Sequence, residues 1–581
     1  MLLVIELGLT LLALAAALIA PRLGSRGFEA LEKGWSRLSY RRGVAVASIG
    51  VSALVLRLAL LPVIPVPKPF YHDDFCYLLA ADTFAHGRLA NPTHRMWVHF
   101  ESFGIIHNPS YQCIAQPAQG LILAFGKVAL GNPFWGVWLS VGLMCASICW
   151  MLQAWVPSRW ALLGGMIAAL RFGTFGYWAN SYWGGALGAT GGALLLGALP
   201  RIKRSQRIRD ALLLALGLAI LANSRPYEGL VLSVPVAVSL FTWMFGKGHP
   251  PVSTSFRRVI VPLAASMLLV GSSMATYNWR VTGIPYRMAY QLEREAYGVP
   301  AYFVWQSVSP PPVYRHEMIR AMYANSLEVY GLARSPAGVM MKTLQVWAFY
   351  IGPVATLTLV LALLTLPYGF RWHHLTNQTR FLLLAFVFCA LGLFGEVFFE
   401  AHYAAPITSL ILAIFLLSMR HLRSWQVGDN PTGRLLVRAI PVIFVSMFIL
   451  RVVANPLHIW LPGATDPAWF EALPMSKGRP SIVAQLQQLP GQHLVIVRYK
   501  PDRRPIEEWV YNDADIDASK VIWAREMSPE QNEELIRYFK DRKVWLVAAD
   551  EDPPRILPYD QTSEIPIQAT SRSKTDRQVS R

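Results

Sequence analysis

Charge is scarce in this chain of 581 residues. Asp, Glu, Lys and Arg together make up 15% of it, where a soluble domain carries about 25%. Cysteine is scarcer still, and five in 581 residues cannot form a disulfide framework. The chain contains no HExxH or CxxC pair of the kind that marks a metal site, and no internal repeat. These absences exclude a secreted disulfide scaffold, a coiled coil, a disordered chain and a repeat array. In their place stand 54% hydrophobic residues, 20 Trp, 22 Tyr and 27 Phe, with a mean hydropathy of +0.35. The apolar residues fall in long blocks, so most of the chain reads as one polytopic membrane domain. The net charge of +18 then points to basic loops on the cytoplasmic side rather than to nucleic acid.

A helix needs about 20 apolar residues to cross the hydrocarbon. Spans are expected near 2–20, 43–65, 134–155, 160–178, 183–199, 211–223, 228–245, 259–278, 344–367, 381–399, 402–419 and 437–455, with a shorter apolar stretch at 118–131 in the interface. The first segment lacks a basic leader and a small-residue cleavage site, so it reads as a retained span. Arg22, Arg26, Lys33, Arg37, Arg41 and Arg42 crowd one loop, and Arg201, Lys203, Arg204, Arg207 and Arg209 another. Lys247, Arg257 and Arg258, then Arg371 and Arg380, then Arg420, Arg423, Arg434 and Arg438 mark three more. Twelve spans put all of these on the cytoplasmic face of a bacterial inner membrane.

Segments 66–118, 279–343 and 456–581 are then outside. The organisation expected is an N-terminal span with a basic segment at 1–42, a membrane domain at 43–455, an extracytoplasmic α/β domain at 456–552 and a disordered tail at 553–581. In the α/β domain, apolar runs at 493–499, 520–524 and 543–548 read as strands of a parallel sheet. Ser528-Pro529-Glu530-Gln531 reads as a capped helix start between the last two.

Ionisable groups in spans are costly and commonly functional. Arg57, Arg171, Arg225 and Arg280, with Glu228, Glu396, Glu400, His402 and Tyr403, fall near the outer ends of spans, and Asp73 and Asp74 directly follow one. Outer-face arginines run against the cytoplasmic bias of basic residues. An anionic ligand would account for them, because guanidinium binds phosphate in a bidentate fork; pairing with Glu228, Glu396 and Glu400 is the alternative. Tyr177-Trp178-Ala179-Asn180-Ser181-Tyr182-Trp183 reads as an interfacial aromatic belt or as a sugar platform. Gly184, Gly185, Gly188, Gly191 and Gly192 after it read as close helix packing. Cys76 and Cys113 share the first outer loop, as a bridge or as two thiols. Cys145 and Cys149 read as helix packing.

The stretch Tyr71-His72-Asp73-Asp74-Phe75-Cys76-Tyr77, continuing to Gly87, resembles the first outer loop of the GT-C glycosyltransferases. Within that family it is most similar to bacterial lipopolysaccharide-sugar and aminoarabinose transferases and to protein mannosyltransferases. His402-Tyr403-Ala404-Ala405-Pro406 resembles the family's Arg-Tyr-x-x-Pro, with His in place of Arg. The resemblance covers about residues 43–455. It implies an all-α polytopic membrane fold with a helix after the acidic pair, and transfer of sugar from a polyprenyl-phosphate donor to a periplasmic glycan, lipid or protein acceptor. It implies Asp73 as the base, with Asp74 orienting the acceptor or helping to bind a metal. The substrate-binding set expected with them is Arg57, Arg171, Arg225, Glu228, Arg280, His402 and Tyr403. A divalent cation at His72 with Asp73 and Asp74, or at His94 with His99, stands as an alternative to no cofactor. A flippase for lipid-linked sugars and a non-catalytic scaffold are the competing functional readings. The one-sided clustering of polar groups and the lack of a repeat favour the enzyme over the flippase.

Overall fold

The computed structural model describes residues 1–246, 250–299, 302–367, 369, 371–454, 457, 478–500, 508–551 and 553–560. Lys247, residues 458–477 of the expected α/β domain and the tail from 561 lie outside the described residues. The chain forms two compact units. One comprises residues 1–94, 102–475 and 505–508, and the other residues 95–101, 476–504 and 509–581.

The first unit is helical. Among the described residues, nine stretches are long and apolar enough to cross a bilayer: Leu2–Ile19, Arg42–Ala59, Phe134–Trp155, Pro226–Phe245, Val252–Thr282, Pro336–Leu364, Asn377–Phe394, Ala401–Leu422 and Thr432–Ala454. Three further helices, Ser158–Arg171, Ala186–Ser205 and Ile208–Ala222, occupy the places of the other three expected spans. Two of these are short, at 14 and 15 residues, and the third ends in Lys203 and Arg204. The expected 160–178 span stops at Arg171, and irregular chain and one turn at Tyr177–Asn180 follow it. The stretch at 118–131 forms the helix Pro117–Leu130.

Glycine sets how closely these helices pack. A Cβ on Gly192 would lie 1.8 Å from the Pro406 carbonyl oxygen, and one on Gly191 would lie 3.1 Å from that of Gly217. The 186–205 helix therefore meets both the 401–407 turn and the 208–222 helix backbone to backbone. Cys145 and Cys149 are buried thiols in the core beside it.

Two N-terminal helices join this bundle, α1 (Leu2–Ile19) and α2 (Ser25–Tyr40). They are followed by α3 (Arg42–Ala59) and, in the long loop after it, α4 (His72–Ala85). That loop also holds a small antiparallel sheet in which Ser110–Cys113 pairs with Asn91–Pro92 on one side and Ile105–Ile106 on the other. Cys76 of α4 is bonded to Cys113 of that sheet, so the two thiols left open by the sequence form a bridge.

In the second unit His493–Arg498 lies between Val521–Arg525 and Lys543–Ala548 and runs parallel to both. The helix Pro529–Tyr538 opens on Ser528, whose hydroxyl accepts from the Gln531 N–H. A fourth strand, Arg555–Pro558, runs antiparallel to Lys543–Ala548. It corrects the expectation of a tail disordered from 553. Four residues are too few to show a period, but the sheet edge supplies their backbone partners.

Candidate functional site

The two adjacent aspartates have different surroundings. Asp74, at the third position of α4, turns back on the helix start. Its Oδ2 accepts from Phe70 N at 3.1 Å and Tyr71 N at 3.2 Å, and its Oδ1 accepts from Tyr182 N at 2.9 Å. It caps α4 and ties it to the chain before Ala186, and it is buried. Burial pushes its carboxyl up to about 6, against the pull of these three N–H groups, with Asp73 adding slightly. Asp73 points outward: 43% of its side chain is exposed, with His72 Nε2 3.5 Å from its carboxylate.

Facing this end of α4 is the turn that begins the 226–245 helix. Pro226 takes the first helical position, where a missing N–H costs nothing, and leaves Arg225 as the N-cap. The Arg225 guanidinium lies over the Tyr403 ring at 4.4 Å and pairs with Glu228 at 3.6 Å. Burial alone would weaken its hold on its proton. Glu228, Tyr403, Tyr77 and Asp73 outweigh that and hold it above its ordinary value. Its side chain is 17% exposed, so the residue is not sealed in the core.

Three residues not expected as ligands join the group. Tyr77 is one turn after Asp73 on α4; burial pushes its hydroxyl up to about 12, with Arg225 opposing. Glu400 is solvent-accessible yet recessed among protein atoms. Partial removal of the carboxyl from water, with Asp73 adding and Arg225 opposing, pushes it up to about 7. Glu396 is buried, and neither of its carboxylate oxygens has a hydrogen-bond partner among the described residues. Burial and then Glu228 hold its carboxyl well above the usual range, against Arg225 and Lys342. The i, i+4 spacing of Asp73 and Tyr77 was a signal available in the sequence. Nothing local in the sequence links Glu396 and Glu400 to α4.

Three expected ligands, Arg57, Arg171 and Arg280, do not join this group, and His402 borders it. Arg57 donates to the backbone oxygens of Ala179, Ile64 and Pro65 and packs over Phe134, so it closes the end of its own helix. Arg171 donates to the Phe349 and Ala348 oxygens and lies 3.6 Å from Glu6 of α1. A buried guanidinium held this way is a bolt between helices. Arg280 is exposed on a helix whose neighbouring Tyr277, Asn278 and Val281 face inward. His402 is buried beside Tyr403, their rings edge-on at 5.0 Å, with its Nδ1 2.9 Å from the Tyr177 hydroxyl and its ring edge-on to Trp183 at 4.9 Å.

Neither reading of the 177–183 aromatics holds for Tyr177, Trp178 and Trp183. At 2%, 1% and 9% exposure they are neither an interfacial belt nor an open platform. They are a wedge packed on Phe349 and His402. Among the described residues no group of three or more His, Cys, Asp or Glu is placed to hold a metal ion. No step is assigned to a divalent cation.

No family model matches the chain, and no curated protein sequence matches it. Solved structures do. The chain is similar to ArnT from Cupriavidus metallidurans in the apo state, at 12% identity and a TM-score of 0.46, over 89% of this chain and 93% of that one. It is also similar to the same protein bound to undecaprenyl phosphate, at 11% identity and a TM-score of 0.44, with the same coverage. The Archaeoglobus fulgidus oligosaccharyltransferase in the apo form matches at 11% identity and a TM-score of 0.44, over 88% of this chain and 69% of that one.

Proposed function

We propose that the chain is a membrane glycosyltransferase, moving one sugar from a polyprenyl-phosphate donor to an acceptor hydroxyl at the outer face. The observation that carries this reading is the grouping of an accessible carboxylate, Asp73, with a guanidinium, Arg225, whose side chain keeps 17% exposure. The sequence resemblance of the Asp73 segment supports it.

A sugar hydroxyl is a poor nucleophile until a base takes its proton. Asp73 accepts that proton as the acceptor oxygen bonds to the anomeric carbon. The bond from that carbon to the phosphate oxygen breaks, and its electron pair leaves with the lipid phosphate. The departing group is already an anion, so it needs positive charge and hydrogen bonds rather than an acid. Arg225 supplies the first and the Tyr77 hydroxyl the second. Glu228 holds Arg225 from the side at 3.6 Å. Asp74 is assigned to holding α4, not to the reaction, because its oxygens are committed to backbone N–H groups.

The test is to incubate the purified protein with a panel of polyprenyl-phosphate sugars and candidate acceptors. Donor consumption by the wild type, abolished in Asp73→Asn, is the expected result. Donor moved across a vesicle bilayer without being consumed would show a flippase instead. Neither consumption nor movement would leave a scaffold.

A further inference from the structure

Helix α2 carries two opposed faces. Phe28, Glu32, Trp35 and Ser39 recur at helical spacing and share one face, and that face is docked. Glu32 accepts from Arg423 at 2.9 Å and from Arg438 at 3.0 Å. The Arg438 guanidinium lies over Phe28 at 5.6 Å, and the Trp35 indole donates to the Arg159 carbonyl at 3.0 Å. Arg26, Lys33 and Arg37 also recur at helical spacing, but each is offset by two residues from the docked set. At about 100° per residue that offset turns them to the opposite side. All three are exposed, as are Arg22 and Arg41 at the helix ends. Among the described residues none of the five makes an ion pair.

The flanks between these two faces differ. One carries Gly27, Leu31, Gly34 and Leu38, with Leu31 71% exposed and Leu38 packed against the core. The other carries Glu29, Ser36 and, at the helix end, Tyr40, which is 82% exposed. A helix with an apolar flank, a basic stripe and a polar flank in that order is shaped for a membrane surface. The apolar flank enters the acyl boundary, the stripe lies at headgroup depth and the polar flank meets water. Its place in the chain agrees, because α1 and α3, both of spanning length, lead into and out of it.

We infer that α2 is an interfacial strap that binds anionic phospholipid headgroups through Arg26, Lys33 and Arg37, with Leu31 inserted beside them. The complementarity is of charge: three unpaired cations on one stripe meet a surface of phosphate diesters with net negative charge.

Hydrogen exchange of residues 22–41 tests this in the full chain, reconstituted into nanodiscs of phosphatidylcholine alone or with phosphatidylglycerol added. The anionic lipid is expected to slow exchange by about five-fold or more, the effect of one basic side chain at an anionic surface. High salt should reverse the slowing. The triple variant R26Q/K33Q/R37Q should lose the slowing yet exchange like the wild type in phosphatidylcholine. Lys33→Gln alone should lose part of it, which keeps the test valid should the triple variant fold poorly. Equal exchange of the wild type in the two lipids would overturn the inference, as would slowing that survives the triple change. Slowing by inorganic phosphate in phosphatidylcholine discs would also overturn it, because the site would then take a free anion.

Discussion

Removing the Asp74 carboxylate should destabilise the protein without touching the chemistry proposed for its neighbour. In Asp74→Ala three backbone N–H groups lose their acceptor, those of Phe70, Tyr71 and Tyr182. Phe70 and Tyr71 are half-buried and regain water in part; their loss amounts to that of a helix cap, about 1 kcal/mol. Tyr182 is buried, and an orphaned N–H there costs about 1–3 kcal/mol. The expected loss is about 2–4 kcal/mol, read by unfolding in mild detergent. Asp73→Ala, which removes a half-exposed side chain, should stay within about 0.5 kcal/mol of wild type. Equal stability of the two variants would refute the division of labour between these adjacent carboxylates. So would greater loss from Asp73→Ala.

Other outcomes follow from the same geometry. Burial raises the Glu32 carboxyl, but hydrogen bonds from Arg438 and Arg423 outweigh it and hold it at about 2. Its contribution is therefore present above its ordinary value of 4.5 and lost as pH falls from there towards 2; Glu32→Gln should lower the thermal midpoint at pH 7 and leave a smaller difference at pH 3. The Glu400 carboxyl, held at about 7 beside Asp73 and Arg225, should put an inflection near neutrality in the pH–rate profile of sugar transfer, and Glu400→Gln should remove it. Gly192→Ala places a methyl 1.8 Å from the Pro406 oxygen, so it should destabilise by about 1–3 kcal/mol, the range for overpacking, measured by thermal unfolding.

What was legible in the sequence was what periodicity and local chemistry encode. Long apolar blocks gave the helices, and Ser528 with Gln531 gave a helix start found where expected. The family resemblance of the Asp73-Asp74 segment implied a helix after the acidic pair; the helix runs from His72 to Ala85, takes the pair into its first turn and is followed by Gly87 at φ 69°. The roles of individual arginines were not legible. Arg57, Arg171 and Arg225 have the same side chain near the ends of helices. Only the fold shows that two of them are spent on backbone carbonyls and that the third lies beside Tyr77 and Glu228. Burial of the 177–183 aromatics was hidden for a similar reason, because their cover comes from Phe349 and His402, far along the chain.

The most direct measurement is the single-turnover rate of sugar transfer by Asp73→Asn at saturating donor, with donor binding followed in parallel. A lost general base should slow transfer by about 10²-fold or more while donor affinity changes little, since Arg225 is intact. Transfer at the wild-type rate, with donor bound as before, would contradict the assignment of Asp73 as the base.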